Sequence, residues 1–138
     1  MSILRYTASA DTTITNAFKS NLSIRGTGSN MGLADVLESF SIYGQVSSST
    51  GGVSSELSRI LIQFPISKIS SDRTAGVIPV SGSVNFFLRM FNTRHALTLP
   101  RNYTMAVSAV SRSWEEGTGV DMEEYKDLTH DGLGANWL

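Results

Sequence analysis

The sequence predicts an all-β fold: a two-sheet antiparallel β-sandwich, jelly-roll-like, with long loops and at most one short helical turn. Three observations carry this. Apolar residues recur at period two in several short runs, clusters rich in Gly, Ser and Asn separate those runs, and no window keeps apolar spacing at 3.6 residues for three turns. Short strands without intervening helices bury their apolar faces by closing into a sandwich or barrel.

The clearest strand covers residues 58–66, where Ile60, Ile62, Phe64 and Ile66 share one face and Arg59, Leu61 and Gln63 the other. Pro65 has no amide to donate, so the strand ends there, lies at an edge, or leaves its neighbour unpaired. A second strand is expected over residues 83–91, with Val84, Phe86, Leu88 and Met90 alternating against Asn85, Phe87, Arg89 and Phe91. Its second face carries Phe87 and Phe91, which implies a cover from a loop, another sheet or a partner chain. Further strands are expected over residues 103–112 and 35–43, with shorter pieces at 3–7 and 12–16.

Turns fall at Gly26-Thr27-Gly28-Ser29-Asn30, in the mobile Ser/Gly run after Gln45, and at Ser81-Gly82. The one helical turn is placed at Asp121-Met122-Glu123-Glu124-Tyr125, where an aspartate precedes a glutamate by three positions. Core anchors are expected at Trp114, Phe64, Ile62, Phe86 and Leu88.

At 138 residues the chain has the size of one domain, since halves of about 70 residues would bury very small cores. A single sandwich domain over 1–138 is therefore expected. Hydrophobic residues make up 41% of the chain, enough for a core. A formal net charge of -1 gives no basic field for phosphates, so nucleic acid is not expected as a partner. No run is long and apolar enough to suggest a membrane span. The opening Met1-Ser2-Ile3-Leu4-Arg5-Tyr6 has no basic flank before a long apolar stretch, so synthesis without a secretory signal is expected. Cysteine is absent, which leaves oxygen and the two histidines as metal ligands.

The acidic run Glu115, Glu116, Asp121, Glu123, Glu124, Asp127 and Asp131 admits three readings. It suits a solvated connector. It also suits calcium held by Glu116 and Asp121, with Asp11 joining if the first strand ends nearby, because calcium requires several oxygen ligands. Glycoside hydrolysis would need two carboxyls at fixed separation across a cleft, which sequence adjacency does not establish. His95 and His130 lie in no paired metal-ligand spacing, and no serine sits in Gly-x-Ser-x-Gly. The sequence therefore predicts no active site and no bound cofactor beyond that calcium. Trp114 and Trp137 read as core anchors, with sugar stacking as the alternative; Tyr103, Tyr125, Phe87 and Phe91 are the candidate contacts for a glycan or a partner.

Four segments in order carry a family resemblance: Ala10-Asp11-Thr12-Thr13-Ile14, Asn30-Met31-Gly32, residues 58–67 from Ser58-Arg59-Ile60 to Pro65-Ile66-Ser67, and Ser113-Trp114-Glu115-Glu116-Gly117-Thr118. They resemble the DNRLRE-type β-sandwich domains, which look like carbohydrate-binding modules and occur in bacterial surface proteins and phage structural proteins. The stretch from Gly117 to Trp137 is similar to the versions in phage virions. The resemblance implies a non-enzymatic virion protein, a head decoration, neck or tail component assembled in the host cytoplasm, with copies of itself and other virion proteins as partners. Its alternative is an extracellular carbohydrate-binding module. The family pattern usually continues past the last tryptophan, so the chain is expected to be the N-terminal part of a longer protein or to take its last strand from a partner.

Overall fold

The computed structural model describes residues 3–47, 52–79, 82–94, 100–120 and 133–138, apart from the side chain of Gln45. Its regular structure is mostly strand. Strands β1 (Ala10–Thr15), β2 (Ser41–Ser47) and β3 (Val53–Gln63) precede one helix, α1 (Ile66–Thr74). The chain divides into two compact units, Met1–Ser67 with Trp114–Leu138, and Lys68–Ser113.

In the first unit the sheet order is β1-β3-β2. The long central strand serves two neighbours with its two halves. Its later half pairs antiparallel with β1, from Ala10 opposite Gln63 to Thr15 opposite Ser58. Its earlier half pairs antiparallel with β2, from Ser41 opposite Leu57 to Ser47 opposite Val53, with a register shift after Tyr43. Gly44 lies in that shift at a φ of 79°, a conformation that favours glycine.

β1 is rich in threonine and is buried from Thr12 to Thr15. A buried hydroxyl needs a partner, and each threonine finds one outside its own strand. Thr12 Oγ1 accepts the Met31 amide at 3.0 Å, and Thr13 Oγ1 accepts the Glu38 amide at 3.0 Å. Thr15 Oγ1 donates to the Leu57 carbonyl at 2.8 Å and accepts the Ala17 amide at 3.0 Å. Asn16 then closes the end of the ladder, its Oδ1 accepting the Leu57 amide at 2.7 Å.

The strand expected over 58–66 starts earlier and stops at Gln63, short of Pro65. The strand expected over 35–43 lies later, at Ser41–Ser47, because the ladder with β3 begins only at Ser41. Residues 3–7, 83–91 and 103–112 are not in strands. Phe86 and Leu88, expected in the core, stand 64% and 47% exposed. The reason is topological: no ladder partner flanks 83–91 among the described residues, and a period-two apolar face is buried only when another layer covers it. Ile62, Phe64 and Trp114 are half-buried. The most buried apolar residues are instead Ile14, Ala17, Met31 and Ile78.

Helix α1 exceeds the single helical turn expected. Pro65 removes the next ladder donor, and a Lys68–Asp72 ion pair at 2.7 Å follows one turn along. A Schellman arrangement ends the helix: the Val77 amide donates to Asp72 and the Gly76 amide to Arg73, with Gly76 at a φ of 75°. The helical turn expected at residues 121–125 lies outside the described residues.

Candidate functional site

Three stretches of the first unit meet around the side chain of Asn30, which is 1% exposed. Its Nδ2 donates to the Leu133 carbonyl at 2.7 Å. Its Oδ1 accepts the amides of Gly119 at 3.0 Å and Gly32 at 3.3 Å. Two amides on the oxygen and a carbonyl on the nitrogen fix the orientation of the amide. The backbone adds the Leu33 amide on the Gly119 carbonyl at 2.8 Å and the Ala135 amide on the Glu115 carbonyl at 2.7 Å.

Such crossing needs bare backbone. A Cβ at Gly32 would overlap the carbonyl oxygens of Glu116 and Gly117, one at Gly119 the carbonyl oxygen of Asn30, and one at Gly134 the Cα of Gly117. This explains the glycines on steric grounds, but both polar atoms of the Asn30 side chain are spent on the chain itself. The knot is architecture.

Glu116 belongs to the same crossing. Its Oε1 accepts the Asp11 amide at 2.7 Å, so two of the three residues expected to hold calcium do meet. They meet through a carboxylate and a backbone amide. Asp121 lies outside the described residues, and among the described residues no group of three or more acidic or histidine side chains is placed to hold a metal ion.

A second carboxylate, Glu56 on β3, is fully buried at 0% exposure. Its Oε2 accepts the Phe18 amide at 2.9 Å and its Oε1 accepts the Ser54 hydroxyl at 3.0 Å. Nearby, Arg25 lies with its guanidinium 4.3 Å from the Phe18 ring centroid and donates to the Asn16 carbonyl at 2.6 Å. A shallow depression opens beside them, lined by Phe18, Arg25, Val46, Val53 and Ser54. Trp137 is half-buried with the Arg59 guanidinium 3.9 Å above its ring, so one indole face is already covered.

The remaining candidate is the surface of the unit Lys68–Ser113. Phe86, Phe87 and Phe91 are 64%, 86% and 77% exposed, and Tyr103 is 66% exposed. Met90, Met105, Val107 and Val110 are exposed as well. Arg89 lies 4.7 Å from the Phe91 ring centroid, which sets a cation over one of these exposed rings. Of the expected contact residues, Phe87, Phe91 and Tyr103 thus share this unit, and Tyr125 lies outside the described residues. No family model, curated protein or solved structure matches the chain.

Proposed function

We propose that the chain is a non-enzymatic assembly module of a phage virion, a head decoration, neck or tail component, that packs against copies of itself and a larger virion protein. One observation carries the assembly reading: the exposed Phe86, Phe87, Phe91 and Tyr103 on one unit. Monomeric proteins seldom leave several large aromatic rings of one compact unit open to water. Each such ring can bury about 150 Å² or more on contact. At about 25 cal/mol per Å², three phenylalanines supply roughly 10 kcal/mol, comparable with the cost of associating two proteins. The two-sheet jelly-roll form of the assembled domain and a DNRLRE-type ancestry rest on the four sequence segments that resemble that family, and the virion setting on the stretch from Gly117 to Trp137, which resembles its phage-virion versions.

Size-exclusion chromatography with light scattering tests it. The expected species is a homo-oligomer or a tight complex with a capsid or tail protein, lost when Phe86, Phe87 and Phe91 are all changed to Ser. A wild-type monomer that binds no virion component would refute it. The exposed Tyr103 ring favours a second reading, a carbohydrate-binding module, in which aromatic faces stack on sugars. Glycan-array binding abolished by Tyr103→Ala would establish that reading instead.

A further inference from the structure

β3 is bonded on both sides, but not along its whole length. Asn16 donates to the Leu57 carbonyl at 3.3 Å from the β1 side, and Ser58 donates to the Phe40 carbonyl at 3.1 Å on the β2 side. Backbone groups of an antiparallel ladder alternate sides, so Arg59 and Leu61 turn theirs to β1 while Ile60 and Ile62 turn theirs the other way. On that side the neighbour is missing. β2 begins at Ser41, opposite Leu57, and the chain before Phe40 leaves the edge, the Glu38 amide crossing to Thr13 Oγ1. Among the described residues no group accepts the Ile60 and Ile62 amides or donates to their carbonyls. Such a row of unpaired donors and acceptors is a template for an added strand. The outer side of β2 is a poorer one, because the register shift after Tyr43 and Gly44 at a φ of 79° break its run.

Residues 83–91 have the opposite lack. They alternate Val84, Phe86, Leu88 and Met90 with Asn85, Phe87, Arg89 and Phe91, and contain neither proline, glycine nor an acid. They form no strand, and among the described residues none of their backbone groups is hydrogen-bonded. We infer that residues 83–91 of one copy add as a strand to the β3 edge of a second copy, beside Ile60 and Ile62. The inference rests on the assembly reading above and names the contact between copies.

The edge does not close on its own image. The antiparallel register that pairs Ile60 of each copy with Ile62 of the other places Phe64 of one opposite Ser58 of the other, where Phe40 already sits. A parallel pairing brings each copy's β2 into the strip the other's β3 would need. A different segment has neither obstacle. An added strand takes its backbone bonds from Ile60 and Ile62, and its alternate side chains extend the half-buried Ile60–Ile62 face.

The test uses the full chain and two variants, each checked for wild-type circular dichroism. Ile62→Pro removes an amide that no bond within the chain uses, so the edge is spoiled and the ladder to β1 is kept. Asn85→Pro with Leu88→Pro spoils the donated strand whichever way it faces, since the two positions differ by three. Each should associate at least tenfold more weakly than the wild type by light scattering. Mixed, they should form a one-to-one complex, because each retains the half the other lacks. In hydrogen exchange the Ile60 and Ile62 amides should be at least tenfold slower in the wild-type oligomer than in the double-proline variant, with Arg59 and Leu61 slow in both. An oligomer whose Ile60 and Ile62 amides exchange as fast as in that variant would overturn strand addition while leaving aromatic assembly standing. Slow exchange there in a wild-type monomer would mean that the chain closes its own edge, and would overturn the inference. Slow exchange in the double-proline variant would assign the edge to another strand, with the same result. A wild-type monomer with no affinity for a virion protein and with both amides exchanging fast would remove the inference and the assembly reading together.

Discussion

Strand β3 and residues 83–91 show the same alternation of apolar and polar side chains, yet one sits inside a sheet and the other lies open. β3 has a neighbour on each side, and the loops around it are hooked back by polar side chains: Thr15 and Asn16 onto Leu57, Ser58 onto Phe40, Glu56 onto Phe18. Residues 83–91 have Asn85 and Arg89 as their only polar side chains beyond Ser83, and Arg89 lies over the Phe91 ring of its own segment. Apolar period makes a strand eligible for burial. What closes the first unit is side-chain hydrogen bonding to backbone, and its core is accordingly polar, with Thr12, Thr13, Thr15, Asn30 and Glu56 among its most buried residues.

Substitutions should therefore divide sharply between the two regions. Asn30→Ala would leave the Gly119 and Gly32 amides and the Leu133 carbonyl without their partner. At about 1–3 kcal/mol for each buried group left unpaired, a loss of roughly 4 kcal/mol is expected. Gly119→Ala should cost as much, since its Cβ would collide with the Asn30 backbone. Phe87→Ala, on a side chain that is 86% exposed, should change the stability of the unassembled chain by less than about 0.5 kcal/mol. Chemical denaturation reads all three, and a Phe87→Ala loss as large as that of Asn30→Ala would erase the distinction between the regions.

Glu56 sharpens the same contrast with a pair of variants. Glu56→Ala strands the buried Phe18 amide and opens a void, for an expected loss of about 3 kcal/mol. Glu56→Gln keeps an oxygen for the Phe18 amide, and its new NH2 can donate to the second lone pair of Ser54 Oγ, whose first accepts the Val46 amide at 3.0 Å. Its cost should stay under about 1 kcal/mol. Equal losses in the two variants would mean that the negative charge, and not the hydrogen bonding, holds the loop at Phe18.

Part of this was legible beforehand. Alternation located the later half of β3, from Ser58 on, and a stop near Pro65 was one of the three outcomes its missing donor allowed. β1 was nearly placed by its β-branched run. Helix α1 was not found: Ile66 and Ile69 are too few for an amphipathic stripe, and the usable signals were Pro65, the Lys68/Asp72 spacing and Gly76 just past the end. Glu56 sits among serines and reads as surface; its burial depends on Phe18, 38 residues away. Asn30, Gly32, Glu116 and Gly117 appear in two segments quoted for the family resemblance, but their meeting depends on pairing across the chain that no local pattern encodes. Phe86 and Leu88 failed for the opposite reason, since their pattern is strong and their cover is absent among the described residues.

A smaller effect is expected where the first unit meets its surface. Arg59, an exposed residue on β3, covers the Trp137 ring at 3.9 Å. Exposed cation–π pairs contribute about 0.5–1 kcal/mol. Arg59→Ala should lower stability by that amount and alter the Trp137 fluorescence, and Arg59→Leu should recover packing without the cation. Unchanged emission in both variants would mean that the guanidinium does not rest on the indole in solution.

The smallest effect concerns calcium at Glu116, Asp121 and Asp11, which we carry forward as a proposal. Glu116 already uses Oε1 to accept the Asp11 amide, so it can present Oε2 to an ion without releasing β1. On the same stretch of chain the carbonyls of Glu115 and Gly119 accept the Ala135 and Leu33 amides, and each keeps a second lone pair. An ion there would depend on the Asp121 carboxylate and on water to reach the six to eight oxygens calcium takes, which places its affinity in the weak range of about 10⁻³ M. Binding stabilises the folded state by RT ln(1 + [L]/Kd), or about 0.4 kcal/mol when calcium equals its dissociation constant. For a chain of this size that is a rise of roughly 1–2 °C in melting temperature. Glu116→Gln should retain the tie to Asp11, since an amide oxygen accepts the same bond, yet abolish the calcium increment, because the charge is gone. That split separates the carboxylate's structural bond from any metal it holds. Identical melting in calcium and in chelator, for the wild type and for Asp121→Asn, would leave Glu116 with the Asp11 amide as its whole task.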